Sequence, residues 1–197
     1  MVRFLFHFVL FKVAGGNGAG STNDKLSSPW GVYVDVNASV YVVDRGNHRV
    51  QKWDLGKDHR TIKLKSNSRF VGGSFGNLVA GSPNDPGSWS YQLNNPTAIT
   101  MDQNGFIYIL DYSNSRIQKW YPGASYGSTV VSGTMNLPIG MKFDRLGNVI
   151  VADTSNHRAT SYALVCRKYS FFCFSFSISN PFIGNSSSNN NNNITTL

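Results

Sequence analysis

The chain has 197 residues, 41% of them apolar, enough to fill the core of one domain of ordinary size but short for a closed ring of repeated four-stranded sheets. Its formal charge of +8 comes from 18 Lys plus Arg against 10 Asp plus Glu. The charge is scattered. Its densest stretch, Lys52 to Lys65 with Lys57, His59, Arg60 and Lys63, reads as a solvated face with weak pull on anionic surfaces or polymers. No stretch approaches the roughly 18 apolar residues of a spanning helix, so no transmembrane segment is expected.

Residues 1–12 place the apolar run Phe4 to Phe11 after Met-Val-Arg, with His7 interrupting it. The run fits either a short export signal or a strand of a preceding sheet, and the compartment stays open between secreted and cytoplasmic. Residues 13–165 then carry an internal repeat in three copies, at 26–53, 93–120 and 135–162. In every copy a proline (Pro29, Pro96, Pro138) precedes a first Asp by six residues, and a second Asp follows nine later. An Asn comes three residues after that and an Arg two further on.

The residues between these markers predict strands. After each proline apolar residues alternate with others: Val32 and Val34, Ile99 and Met101, Met141 and Phe143 share one face, expected to be buried, while Tyr33, Thr100 and Lys142 take the other. The first Asp opens a turn. The second strand is apolar at every position, Val40 to Val43, Ile107 to Leu110 and Val149 to Ala152, which predicts cover on both faces. Asp44, Asp111 and Asp153 end it, and Asn47, Asn114 and Asn156 follow in a tight reversal where short polar side chains can take up unpaired N–H groups. Arg49, Arg116 and Arg158 open the third strand and can return to the Asp carboxylate across the hairpin. A polar set repeated once per copy is what turn and hairpin ties predict; a binding site should use residues that differ between copies. Those are Trp30, Thr97 and Ile139 after the prolines and Arg45, Tyr112 and Thr154 after the second Asp residues, the candidate binding face.

Two regions depart from the pattern. The first two prolines are 67 residues apart and the next two 42, so residues 54–92 hold an insertion, which contains two versions of one outer-strand motif, Phe70 to Gly73 and Val79 to Ser82. Residues 166–197 change texture: Ser170 to Ile178 alternates aromatic and small residues, predicting a strand, and Ser186 to Asn193 is a polar low-complexity tract. The two cysteines, Cys166 and Cys173, lie in this region, either bridged or free, and match no common zinc spacing.

The pattern Pro-x-Gly-x-x-x-Asp followed by Tyr-Val-x-Asp-x-x-Asn-His-Arg-Val-Gln-Lys-Trp resembles the NHL repeat. Asn47-His48-Arg49 and Asn156-His157-Arg158 carry the Asn-His pair, while Asn114-Ser115-Arg116 keeps the asparagine. The resemblance implies an all-β fold, a β-propeller of NHL type, here an incomplete or open arc of three to four blades. On that frame the expected function is a non-catalytic scaffold that binds a protein partner, without cofactor or metal. Self-association through exposed blade edges is a further expectation. The first alternative is RNA binding, from the basic balance and exposed aromatics. The second is a metal-dependent lyase or hydrolase, which would need histidines such as His48 and His157 to converge. If the chain is exported, Asn37, Asn185 and Asn193 head glycosylation triplets.

Overall fold

The structure is a computed structural model and describes residues 12–54, 75–166 and 173–178. It is all-β, with three four-stranded antiparallel sheets, each a meander of sequence neighbours. The first contains β1 (Pro29–Val34), β2 (Val40–Asp44), β3 (Arg49–Trp53) and β4 (Asn77–Gly81). The second contains β5 (Pro96–Met101), β6 (Ile107–Asp111), β7 (Arg116–Trp120) and β8 (Ser128–Ser132). The third contains β9 (Pro138–Phe143), β10 (Val149–Asp153), β11 (Arg158–Cys166) and β12 (Cys173–Ile178).

The innermost strands set the arrangement: β5 packs against both β1 and β9, so the second sheet is sandwiched between the other two. None of the sheets closes on itself, and the three form an open arc of propeller blades. Of the two outer-strand candidates in the insertion, Val79 to Ser82 overlaps the outer strand of the first blade, β4. The other candidate in the insertion, Phe70 to Gly73, lies outside the described residues. In the tail, β12 takes the outer place in the third blade, with Cys166 and Cys173 as register partners.

Apolar side chains between blades make up the core. Tyr41, Val43 and Val50 of the first blade meet Ile99, Ile107, Ile109 and Trp120 of the second. The far face of the second blade, with Ala98, Tyr108, Leu110 and Ile117, meets Val149, Val151 and Tyr162 of the third. Each blade thus offers one set of positions to the blade before it and another to the blade after. Trp53 and Trp120 occupy the same position in successive blades and are 1% exposed. A glycine closes over each ring: a Cβ on Gly76 would sit 2.7 Å from the Trp53 indole, and one on Gly127 would collide with Trp120 in the same way.

Two burial expectations need correction, for one reason. Val32 and Val34 were placed on a buried face, yet they are 65% and 55% exposed, while Tyr33 on the other face is half-buried. That face of the first blade is where a preceding blade would pack, and among the described residues Val13, Ala14 and Leu26 reach part of it. At the other end of the arc, Ile150 and Ala152 of β10 are exposed although the strand is apolar throughout. Burial at every position of the second strand is realised in β2 and β6, and β10 at the far end of the arc lacks it.

Candidate functional site

The first Asp of each copy forms the turn between the two inner strands. Asp35 accepts the N–H groups of Asn37 and Ser39 at 2.9 and 2.8 Å, Asp102 those of Asn104 and Phe106, and Asp144 those of Leu146 and Asn148. The second carboxylate oxygen of Asp102 accepts the Tyr108 hydroxyl at 3.2 Å. Asn37 is exposed in the first of these turns, whereas Asn185 and Asn193 lie outside the described residues.

At the opposite end of the strands the second Asp works differently from a turn cap. Asp44, Asp111 and Asp153 each accept an N–H from 17 residues earlier, from Ser27, Asn94 and Asn136 at 2.6, 2.7 and 2.6 Å. Their other oxygen accepts from the Asn side chain (Asn47, Asn114, Asn156) and from Arg Nε (Arg49, Arg116, Arg158), the latter at 2.8, 2.7 and 2.9 Å. The Asn residues act as donors here. Arg49 also donates to the carbonyls of Thr22 and Lys25, and Arg116 to those of Ser88, Trp89 and Gln92. The set therefore locks each lead-in segment to its own hairpin. Between Asn and Arg stands a left-handed residue: His48, Ser115 or His157, with φ of 55°, 48° and 52°.

The candidate binding face divides. Trp30, Arg45 and Tyr112 come together, with the Arg45 guanidinium carbon 4.8 Å from the Trp30 ring centre and 5.7 Å from that of Tyr112. Thr97 is buried and its hydroxyl donates to the Pro138 carbonyl at 3.2 Å, so it is a tie between blades. Ile139 and Thr154 are exposed on the third blade and join no cluster with the first three. His48 Nδ1 accepts the Asn95 N–H at 3.1 Å, and burial, helped by the charge of Arg45, holds its imidazole below the ordinary histidine value. Among the described residues no group of three His, Cys, Asp or Glu side chains is placed to hold a metal ion.

A second site was not singled out by sequence. A cleft of about 480 Å³ lies between the second and third blades, at the end of the strands where Asp102 and Asp144 make their turns. Met101, Phe106, Tyr108, Phe143 and Leu164 supply its apolar lining, and Lys119 projects into it. The Lys119 ammonium is 4.1 Å from the ring centre of Phe106, 5.5 Å from Tyr108 and 5.4 Å from Tyr121. It has no salt bridge among the described residues. Burial pushes the amine below the ordinary lysine value, and the charge of Asp102 returns only part of the shift. Burial also pushes the Tyr108 hydroxyl up, reinforced by Asp102, so it stays protonated.

The same repeat position in the first blade holds Lys52, which has a different environment. Lys52 pairs with Asp54 at 3.1 Å; burial is the largest influence and lowers its amine, but the Asp54 bond together with the charges of Tyr41, Asp54 and Asp35 lifts it above the ordinary value. In the second blade the residue matching Asp54 is Tyr121. Replacing a carboxylate by a ring removes the counter-charge and leaves a desolvated amine in a cleft.

Comparison with known proteins agrees with the architecture. The model of the NHL repeat matches residues 26–53 and 93–120. Among solved structures, a virginiamycin B lyase from Staphylococcus aureus is similar at 10% identity and a TM-score of 0.50, over 82% of this chain and 44% of the lyase. A Bacteroides thetaiotaomicron protein described as a candidate phosphatase is similar at 14% identity and a TM-score of 0.53, over 69% of this chain and 34% of that one. A streptogramin B lyase also matches, at 14% identity and a TM-score of 0.47, over 79% of this chain and 42% of its own. The chain spans less than half the length of each of these proteins. At such identities the likeness establishes the fold. The expectation of a non-catalytic scaffold, with an enzyme the less favoured reading, runs against these neighbours, which are themselves named for lyase and phosphatase activity. The chain carries NHL repeats and folds as an open arc of β-propeller blades.

Proposed function

We propose that the chain supplies part of a lyase- or hydrolase-type active site, with the cleft between the second and third blades as the reacting pocket and Lys119 as its general base. The observation that supports this reading is the Lys119 amine itself: buried, ringed by Phe106, Tyr108 and Tyr121, and without a salt bridge among the described residues. A lysine in this setting spends more of its time neutral near physiological pH, and a neutral amine accepts protons. In a lyase step Lys119 takes the proton from the carbon beside the bond that breaks. The C–H electron pair becomes the new double bond, and the leaving group departs with its own pair. In hydrolysis the same amine takes a proton from water as the water attacks. Asp102 holds Tyr108 in place and positions the wall of the pocket.

The test uses p-nitrophenyl acetate as substrate for the full chain. The rate should rise with pH through a midpoint below the ordinary lysine value of about 10.4. It should fall roughly 10²-fold in Lys119→Met, as for loss of a positioned base, and stay near wild type in Lys52→Met. Equal rates in the two variants overturn the reading.

The uncovered end faces support a partner proposal as well, association of the arc with a second copy. Val32 and Val34 of the first blade are exposed, whereas the matching second-blade residues are buried (Ile99) or partly buried (Met101), and Ile150 is exposed on the third. Sedimentation should show a dimer that Val32→Lys converts to monomer; a monomer at every concentration refutes this proposal. No helix among the described residues is long and apolar enough to cross a membrane.

A further inference from the structure

We infer that Trp30, Arg45 and Tyr112 form an oxyanion-binding site, for a carboxylate or a phosphate group, at the end of the strands opposite the Lys119 cleft. The inference begins with the fate of the arginines. Arg49, Arg116 and Arg158 spend their donors on an aspartate and on backbone carbonyls. Arg45 forms no side-chain hydrogen bond and no salt bridge among the described residues, and its Nε is buried without a partner. A buried donor left unpaired is costly, so a structure that keeps one invites an acceptor.

The geometry selects the kind of acceptor. Arg45 stands between two rings from different blades, Trp30 at the start of β1 and Tyr112 just after β6. The two rings close to the guanidinium restrict the side chain, and its Nη groups, which form no hydrogen bond among the described residues, match two oxygens of one carboxylate or phosphate. Restricting the side chain beforehand lowers the ordering cost of binding. Trp30 is 57% exposed, so the site is open to a small ligand. The matching positions in the third blade, Ile139 and Thr154, cannot reproduce the stack. The site therefore occurs at one blade junction, as expected for recognition and not for a repeated scaffold tie. Nearby acceptors are already engaged: His48 Nδ1 by the Asn95 N–H, and Asp44 by Arg49 and Asn47.

The test measures modification of Arg45 by phenylglyoxal in the full chain, mapped by peptide mass spectrometry. Acetate or inorganic phosphate at about 10 mM, well above a Kd of about 1 mM, should slow the reaction of Arg45 about tenfold and leave the exposed Arg145 unchanged. Protection by acetate alone identifies a carboxylate site and protection by phosphate alone a phosphate site. Tyr112→Leu, a change on a half-buried turn, should weaken the protection without unfolding the chain. Three results overturn the inference: no protection by either anion, equal protection of Arg145, or the same effect from chloride at matched ionic strength. Protection by single-stranded RNA and by neither small anion also overturns it, in favour of a nucleic-acid surface.

Discussion

The second and third blades carry the same Asp-Asn-Arg set with nearly the same bond lengths, yet they keep it in different surroundings. In the second blade the Arg116 side chain is 10% exposed, and in the third the Arg158 side chain is 48% exposed. Asp111 and Asp153 are both fully buried, but burial pushes the Asp111 carboxyl above the ordinary range despite its hydrogen bonds. For Asp153 burial is outweighed by bonds from the Asn136 N–H, Asn156 and Arg158, and its carboxyl is held below that range. A motif that looks uniform in sequence is therefore a desolvated tie inside the arc and a partly hydrated one at its edge.

This contrast can be broken most severely at the aspartates. Asp111→Ala leaves Arg116 with a charge enclosed between blades and should cost about 3–5 kcal/mol in urea denaturation, the usual loss when one partner of a buried pair is removed. Asp153→Ala should cost clearly less, since Arg158 can turn to water. Gly127→Ala comes next: its methyl group must displace the Trp120 ring in a packed core, an overpacking loss of about 1–3 kcal/mol read as a lower denaturation midpoint. Arg158→Ala should change stability by no more than about 1 kcal/mol, because half-exposed pairs contribute little and are screened by salt.

Acid should sharpen the contrast without mutation. The lowered carboxyl of Asp153 stabilises the fold above its unfolded value of about 3.9, and that contribution disappears as pH falls through the folded value. The raised carboxyl of Asp111 behaves oppositely, its contribution being complete at low pH and lost as pH rises through the folded value. Amide exchange, corrected for its intrinsic pH dependence, should show β10 and β11 losing protection on acidification before β6 and β7. Simultaneous loss in both blades would contradict the assignment.

Much of the fold was legible because the repeat is written in fixed offsets. Proline, two aspartates, asparagine and arginine mark the strand ends, and period-two alternation marks the inner strand. What could not be read was which copy lies in the middle. Val34 and Met101 occupy the same repeat position, and only the neighbour a blade lacks exposes Val34. The cleft was illegible for a related reason. Lys52 and Lys119 stand in identical Gln-Lys-Trp strings, and the change that matters is the residue two places on, Asp54 against Tyr121. The signal was present as a difference between copies, but its chemical meaning depends on which rings the next blade brings alongside. Arg45 and Tyr112 were picked out because they vary, and Thr97, chosen by the same rule, turned out to tie two blades together.

The seventeen-residue reach of the buried aspartates has a consequence for how the molecule assembles. Each carboxylate grips a segment seventeen residues earlier, and within each blade every strand pairs with its immediate successor. A nascent chain can finish one module before the next emerges, with little loop-closure entropy to overcome at each stage. Growth or loss of whole modules during evolution would then leave the survivors intact, disturbing only the single seam where a neighbour was gained or removed.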